Sequence, residues 1–200
     1  GGASMSGWYD NSGAISGCVA AYQAIGASSL ANSYINLANP GVYDCAPGVA
    51  PAFNASTGWT FNGTTQYLTT GYTPPNQVGY TVIARFSGVP ASGNNAIIGG
   101  SNVAVSLNQG LIPRFALTGG TAFMANGNYA APASVASGVM AVAGGQGYLN
   151  GASYGSSWVA AGSVWRPQSI GRWESSSPLY YLSGSIQALA IYSGTLTAGE

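Results

Sequence analysis

Charge is nearly missing from this chain. Its 200 residues hold no Lys and no His, four Arg (Arg85, Arg114, Arg166 and Arg172) and four acids (Asp10, Asp44, Glu174 and Glu200), for a net charge of zero. No basic patch is available to neutralise phosphates, so nucleic acid is not an expected partner. Without His or Lys there is no ordinary base to activate a serine nucleophile. Two Cys without His cannot build a zinc site. Long apolar runs are missing too: none approaches the roughly 20 residues a helix needs to cross a bilayer, so membrane insertion is not expected. A surface this poor in charge is close to the condition that promotes association. It calls either for neighbours in an assembly or for solubilising sugars. Asn54-Ala-Ser and Asn62-Gly-Thr have sequon form, yet such triplets arise by chance in an Asn/Ser/Thr-rich chain.

Cysteine is limited to Cys18 and Cys45. In an extracellular protein an isolated pair is normally bridged, and both flank short strand-like runs, Val19 to Tyr22 and Val42-Tyr43. A Cys18–Cys45 disulfide is therefore expected, with two buried thiols as the alternative.

What is abundant is Gly, Ser, Thr, Asn and Ala, with 13 Tyr. Turn residues recur along the whole chain and helical periodicity is scarce, which favours an all-β sandwich over an α/β architecture. Tyr80 to Phe86 alternates, with Tyr80, Val82, Ala84 and Phe86 on one side and Thr81, Ile83 and Arg85 on the other. In Tyr181 to Leu196, Ile186, Ala188, Ala190 and Tyr192 form one alternating set and Gln187, Leu189 and Ile191 the other. Trp59 to Thr70 reads as a hairpin turned at Asn62-Gly63. Ala24 to Asn39 has some helical character, ended by Asn39-Pro-Gly41. About a dozen short strands fit a two-sheet antiparallel jelly roll. The expected organisation is an N-terminal arm or loop over residues 1–17 and a single sandwich domain over 18–200.

Six phrases come in a telling order: V-A-A-Y (19–22), W-T-F-N-G-T-T-Q-Y-L-T-T-G (59–71), Y-T-V-I-A-R-F (80–86), Q-G-Y-L-N-G (146–151), S-I-G-R (169–172) and G-S-I-Q-A-L-A-I-Y-S-G-T-L (184–196). Together they resemble the concanavalin A-like lectin/glucanase superfamily, most closely its laminin-G-like branch. The resemblance implies two curved antiparallel sheets packed face to face. It also implies carbohydrate binding on the concave sheet or rim loops, sometimes through calcium. Similar modules occur in secreted bacterial proteins and on bacteriophage virions, so the implied location is extracellular or on a virion surface.

Catalysis is not expected. The glucanase branch carries E-x-D-x-E on one strand, whereas here the acids are isolated and glycoside hydrolysis normally needs two carboxyl groups roughly 5 to 10 Å apart. Calcium wants six to eight oxygens; Asp10-Asn11 or Asp44 could form only a poor site, and an Asx turn is the stronger reading. No other cofactor is expected.

Sugar recognition combines an aromatic platform with a few orienting polar groups. The densest such cluster holds Trp158, Trp165, Arg166, Arg172, Trp173, Glu174, Tyr180 and Tyr181. From it Trp165, Arg166, Arg172, Trp173, Glu174 and Tyr180 are the candidate ligand residues. The competing reading makes the Trp rings core and Arg172–Glu174 a surface ion pair. Trp8 and Tyr9 are candidate interface residues. The expected function is a non-catalytic carbohydrate-binding or adhesion module with a glycan or cell-surface polysaccharide as partner. The alternative is a self-associating building block of a capsid decoration, fibre or filament.

Overall fold

A computed structural model describes residues 7–10, 17–75, 80–104, 108–116, 119–125, 133–144, 146–154 and 164–196. In chain order the elements are β1 (Cys18–Gln23), α1 (Leu30–Ser33), β2 (Ala46–Val49), β3 (Ala52–Asn54), β4 (Gly58–Asn62), β5 (Tyr67–Thr69), β6 (Thr81–Ser87), β7 (Ile98–Ser101), β8 (Asn108–Phe115), β9 (Gly120–Ala125), β10 (Gly138–Ala143), β11 (Gln146–Leu149), β12 (Ala152–Tyr154), β13 (Ser169–Ile170) and β14 (Ser183–Tyr192). They form two antiparallel sheets. The larger runs β12-β11-β10-β6-β14-β4-β3, with β1 also paired to β14; the smaller runs β2-β5-β13-β7-β8-β9. This is the two-sheet sandwich that composition and patterning call for.

The main core lies between the sheets. Trp59, Phe61, Val82, Ala84, Phe86, Met140, Ile186, Leu189 and Ile191 from the large sheet meet Leu68, Ile98, Leu111, Phe123 and Ile170 from the small one. β6 keeps the alternation read from its sequence, since Val82, Ala84 and Phe86 are all buried in this core.

β14 does not. A bulge between Ile186 and Ala188 shifts its register against β6, so the extra residue is Gln187. One added residue inverts the phase of everything after it. Ile186, Leu189 and Ile191 therefore face the core, while Ala190 and Tyr192 join Ala21 in a cluster on the outer face. The simple alternation expected over 186–192 is corrected accordingly.

The turn at Asn62-Gly63 is also not a hairpin. β4 pairs with β14 and β3, whereas β5 pairs with β2 and β13, so the chain arches from one sheet to the other. Asn62 holds the arch: its Oδ1 accepts from the backbone N–H of Thr64 and Thr65 at 3.0 Å and of Gln66 at 3.3 Å. Helical character in 24–39 reduces to the single turn α1, capped by the Ser29 hydroxyl accepting from Asn32 N–H.

The expected disulfide is corrected as well. Cys18 and Cys45 are free thiols. Cys18 packs against the outer cluster with Tyr192, and Cys45 sits in the core between the sheets, so the two side chains are directed to different clusters.

Candidate functional site

The predicted cluster is split by the fold. Trp165 is 3% exposed and Trp173 is 5% exposed, so neither ring stands free as a stacking platform. Trp173 lies over the outer face of the small sheet, with Ala96, Ile112, Phe115 and Ala122, and with Leu179 and Tyr180 packed alongside. Its backbone is tied down too: Trp173 N–H donates to Leu179 O at 2.8 Å, and Glu174 N–H to Gly99 O at 2.9 Å.

Glycine makes this seat possible. Gly99 and Gly110 are cross-strand partners on β7 and β8. A Cβ at Gly99 would fall 2.7 Å from the Trp173 ring and 2.4 Å from Gln109 O, at a φ of +141°. Gly99→Ala therefore combines a left-handed backbone with overpacking, and it is expected to cost about 3 kcal/mol. Urea titration monitored by Trp fluorescence would measure it; an unchanged midpoint would refute the seat.

Arg172 and Glu174 form a largely buried pair. The Arg172 Nη2 and Nε each lie 2.7 Å from Glu174 Oε1, which also accepts from Ser169 Oγ at 2.5 Å. The guanidinium sits 3.4 Å from the centroid of the Tyr67 ring, a cation–π contact that ties the pair to β5. Arg166 is placed elsewhere, its Nη2 donating to Val103 O at 3.4 Å. Trp158 lies outside the described residues. Arg172 and Glu174 thus each already have a partner within the fold.

Two of the predicted residues do line a cavity. Trp173 and Tyr180, with Phe115, Leu179, Ser101, Asn108 and Ser175 to Ser177, line an open cavity of about 310 Å³ beside the small sheet. Phe115 and Tyr180 meet edge to face at 5.8 Å, and Tyr180 holds a left-handed φ of 56°. Ser101 is 2% exposed, and its hydroxyl has no hydrogen-bond partner. An uncharged cavity with aromatic walls and several hydroxyl groups is suited to a neutral polyol. Ser101 and Phe115 escaped the sequence reading because they lie 50 or more residues before Trp165, the first candidate ligand residue, and nothing in their own strands marks them.

Asp44 is engaged in loop structure. Its Oδ1 accepts from Asn36 N–H at 2.8 Å and Gly41 N–H at 3.1 Å. Among the described residues no group of three or more His, Cys, Asp or Glu converges as metal ligands; Asn11 lies outside them. Tyr9 packs on the outer cluster of the large sheet, and its hydroxyl donates to Leu37 O at 2.9 Å. Trp8 meets it edge to face at 5.8 Å and is 46% exposed. No helix among the described residues is long and apolar enough to cross a membrane.

No family model matches the chain, and no curated protein matches it. Solved structures do. Trypanosoma rangeli sialidase in complex with sialic acid aligns with a TM-score of 0.60 at 13% identity, over 92% of this chain and 32% of its own. A mutant of that sialidase displaying trans-sialidase activity aligns at 0.59 and 14% identity, over 92% and 32%. Domain 4 of an extracellular arabinanase from Geobacillus stearothermophilus, in complex with arabinotriose, aligns at 0.53 and 15% identity, over 92% of this chain and 95% of its own. The fold is shared with parts of carbohydrate-active enzymes.

This chain spans about a third of the sialidase chains and nearly all of the arabinanase domain. At such identities the likeness is one of fold. It corrects the expected function: the matched structures belong to a sialidase and an arabinanase, not to a surface adhesion module or to a capsid, fibre or filament subunit.

Proposed function

We propose that this chain is a glycan-binding domain that accompanies a carbohydrate-active catalytic domain and holds a neutral saccharide in the Trp173 cavity. The observation that carries this reading is the cavity itself: Trp173, Phe115 and Tyr180 as walls, with Ser101, Asn108 and Ser175 to Ser177 as hydrogen-bonding groups and no charged residue in the lining. The fold likeness supports glycan binding, since the matched arabinanase domain was solved with arabinotriose, a neutral sugar, and the matched sialidase with sialic acid. An extracellular setting belongs to the same reading, because that arabinanase is extracellular. So does the laminin-G-like assignment, which rests on the order of the phrases at 59–71, 146–151 and 184–196. Hydrolysis is not part of it: the carboxyl pair that most glycosidases use is not assembled in the cavity, whose lining holds no acid.

Calorimetric titration with arabinotriose, cellotriose and galactotriose tests the proposal. At least one is expected to bind. Ser101→Ala should then weaken it about tenfold, or ~1.4 kcal/mol, by removing one hydrogen bond to the sugar. The same change should leave the Tm unchanged, because the hydroxyl has no protein partner to lose. Equal binding by wild type and Ser101→Ala, or no binding of any of the three, would overturn the assignment.

A further inference from the structure

On the other side of the molecule, the outer face of the large sheet carries a groove built around Arg85. Registers place Gln23 opposite Ala188, Ala188 opposite Arg85, and Arg85 opposite Val139, so one row crosses β1, β14, β6 and β10. At sheet spacing that row is about 14 Å long. Two depressions of about 330 and 450 Å³ lie along it and share Ile25, Arg85 and Val139. Trp8 borders the first, and Asn150, Ser87 and Gln187 the second.

Arg85 is unlike the other three arginines. Arg172 is paired with Glu174, Arg166 donates to Val103 O, and Arg114 donates to Gly119 O and Ser134 Oγ. Arg85 is exposed in mid-strand and has no such partner among the described residues, and no acid lines either depression. Nearby, Gln187 is 6% exposed; its Nε2 donates to Thr57 O and Ser87 Oγ, while its Oε1 lacks a donor.

We infer that this groove is a second glycan site, selective for a saccharide chain that bears carboxylates, with Arg85 as the residue that reads the acid. A guanidinium fork matches a carboxylate in two parallel hydrogen bonds, and the match is strongest where no protein acid competes. The half-exposed Trp8 indole offers an apolar ring face for a pyranose, while Ser87 and Asn150 suit hydroxyl groups. A lone cation among neutral groups fits a polymer with one charge per sugar better than a phosphate-dense nucleic acid, which demands several. The site is independent of the Trp173 cavity: the two lie on different sheets and share no lining residue.

The test is affinity electrophoresis and calorimetry with polygalacturonate, alginate and hyaluronate, alongside fully methyl-esterified polygalacturonate. At least one acidic polymer is expected to bind, more weakly as salt rises. For polygalacturonate the methyl ester should bind at least tenfold more weakly. Arg85→Gln should lose at least tenfold in affinity for whichever acidic polymer binds, and Arg85→Lys should retain part of it. Ser101→Ala should bind these polymers as wild type does, which separates this site from the neutral one. Failure of all three acidic polymers to bind, or equal binding by Arg85→Gln, or equal binding of the ester, would overturn the inference. Because Arg85 is exposed, circular dichroism of Arg85→Gln should match wild type.

Discussion

Replacing Asn36 by Ala is expected to destabilise the domain by about 4 kcal/mol, although the residue sits outside every strand and helix. Its side chain is fully buried and makes four hydrogen bonds to backbone. Oδ1 accepts from Ala21 N–H at 2.9 Å and Ala38 N–H at 3.0 Å. Nδ2 donates to Val19 O at 2.9 Å and Val42 O at 2.8 Å. The amide thus fastens β1 to the loop that leads into β2. Ala would leave two donors and two acceptors unmet, each costing about 1 kcal/mol or more where water cannot reach. Asn36→Asp makes the point sharper. At neutral pH its carboxylate would face the Val19 and Val42 carbonyls, so it should be no more stable than Asn36→Ala; protonation in acid should restore part of the loss by returning one donor. Urea midpoints at neutral and acid pH measure both variants. A loss under 1 kcal/mol for Asn36→Ala would mean that the clamp does not exist in solution.

Asn36 also shows where the sequence is silent. An Asn in a stretch rich in Ser, Gly and Pro reads as one more turn residue, and nothing local announces that its amide reaches four backbone groups up to 17 residues away. Local alternation was legible where the strand is regular, as in β6. It failed in β14 because the bulge at Gln187 appears only in the pairing with β6, which local alternation does not encode. Asn62-Gly63 announced a turn correctly, yet period and turn chemistry do not say whether the returning strand pairs with its predecessor or crosses to the other sheet. Hence an arch looked like a hairpin.

The candidate site was legible to a similar depth. Composition drew attention to the neighbourhood of Trp173 and Tyr180, which do line a cavity. It could not tell that Trp173 would be covered, because the covering depends on Gly99 and Gly110 more than 60 residues earlier. Arg85 carries a readable sign: it is the lone charge in an alternating strand, on the side opposite Val82, Ala84 and Phe86.

The largest expected effect is alkaline unfolding. Burial raises the phenols of Tyr22 and Tyr80 and the thiol of Cys45 far above their ordinary values of 10.0, 10.0 and 9.0. Cys18 is pushed up to about 11, by burial first and the Asp10 charge second. All four groups stay protonated in the fold and ionise in the unfolded chain. The stability they contribute is whole below pH 9 and is lost as pH climbs toward the folded values. Each deeply buried group costs about 1.4 kcal/mol per pH unit above its unfolded pKa. By pH 11 Cys45, Tyr22 and Tyr80 together remove about 6 kcal/mol, against a total stability of about 5–15 kcal/mol for a domain. The acid side offers no counterpart of similar size, because the chain has four carboxylic side chains and no His. Circular dichroism against pH, recorded with tyrosinate absorbance, should therefore show a fold that persists into acid and collapses between about pH 10 and 12. Exposed phenols should titrate first, and the last of the 13 Tyr should ionise only with the loss of the β-sheet signal. Smooth titration of every Tyr near pH 10 with the sheet intact would show that Tyr22 and Tyr80 are not enclosed as described.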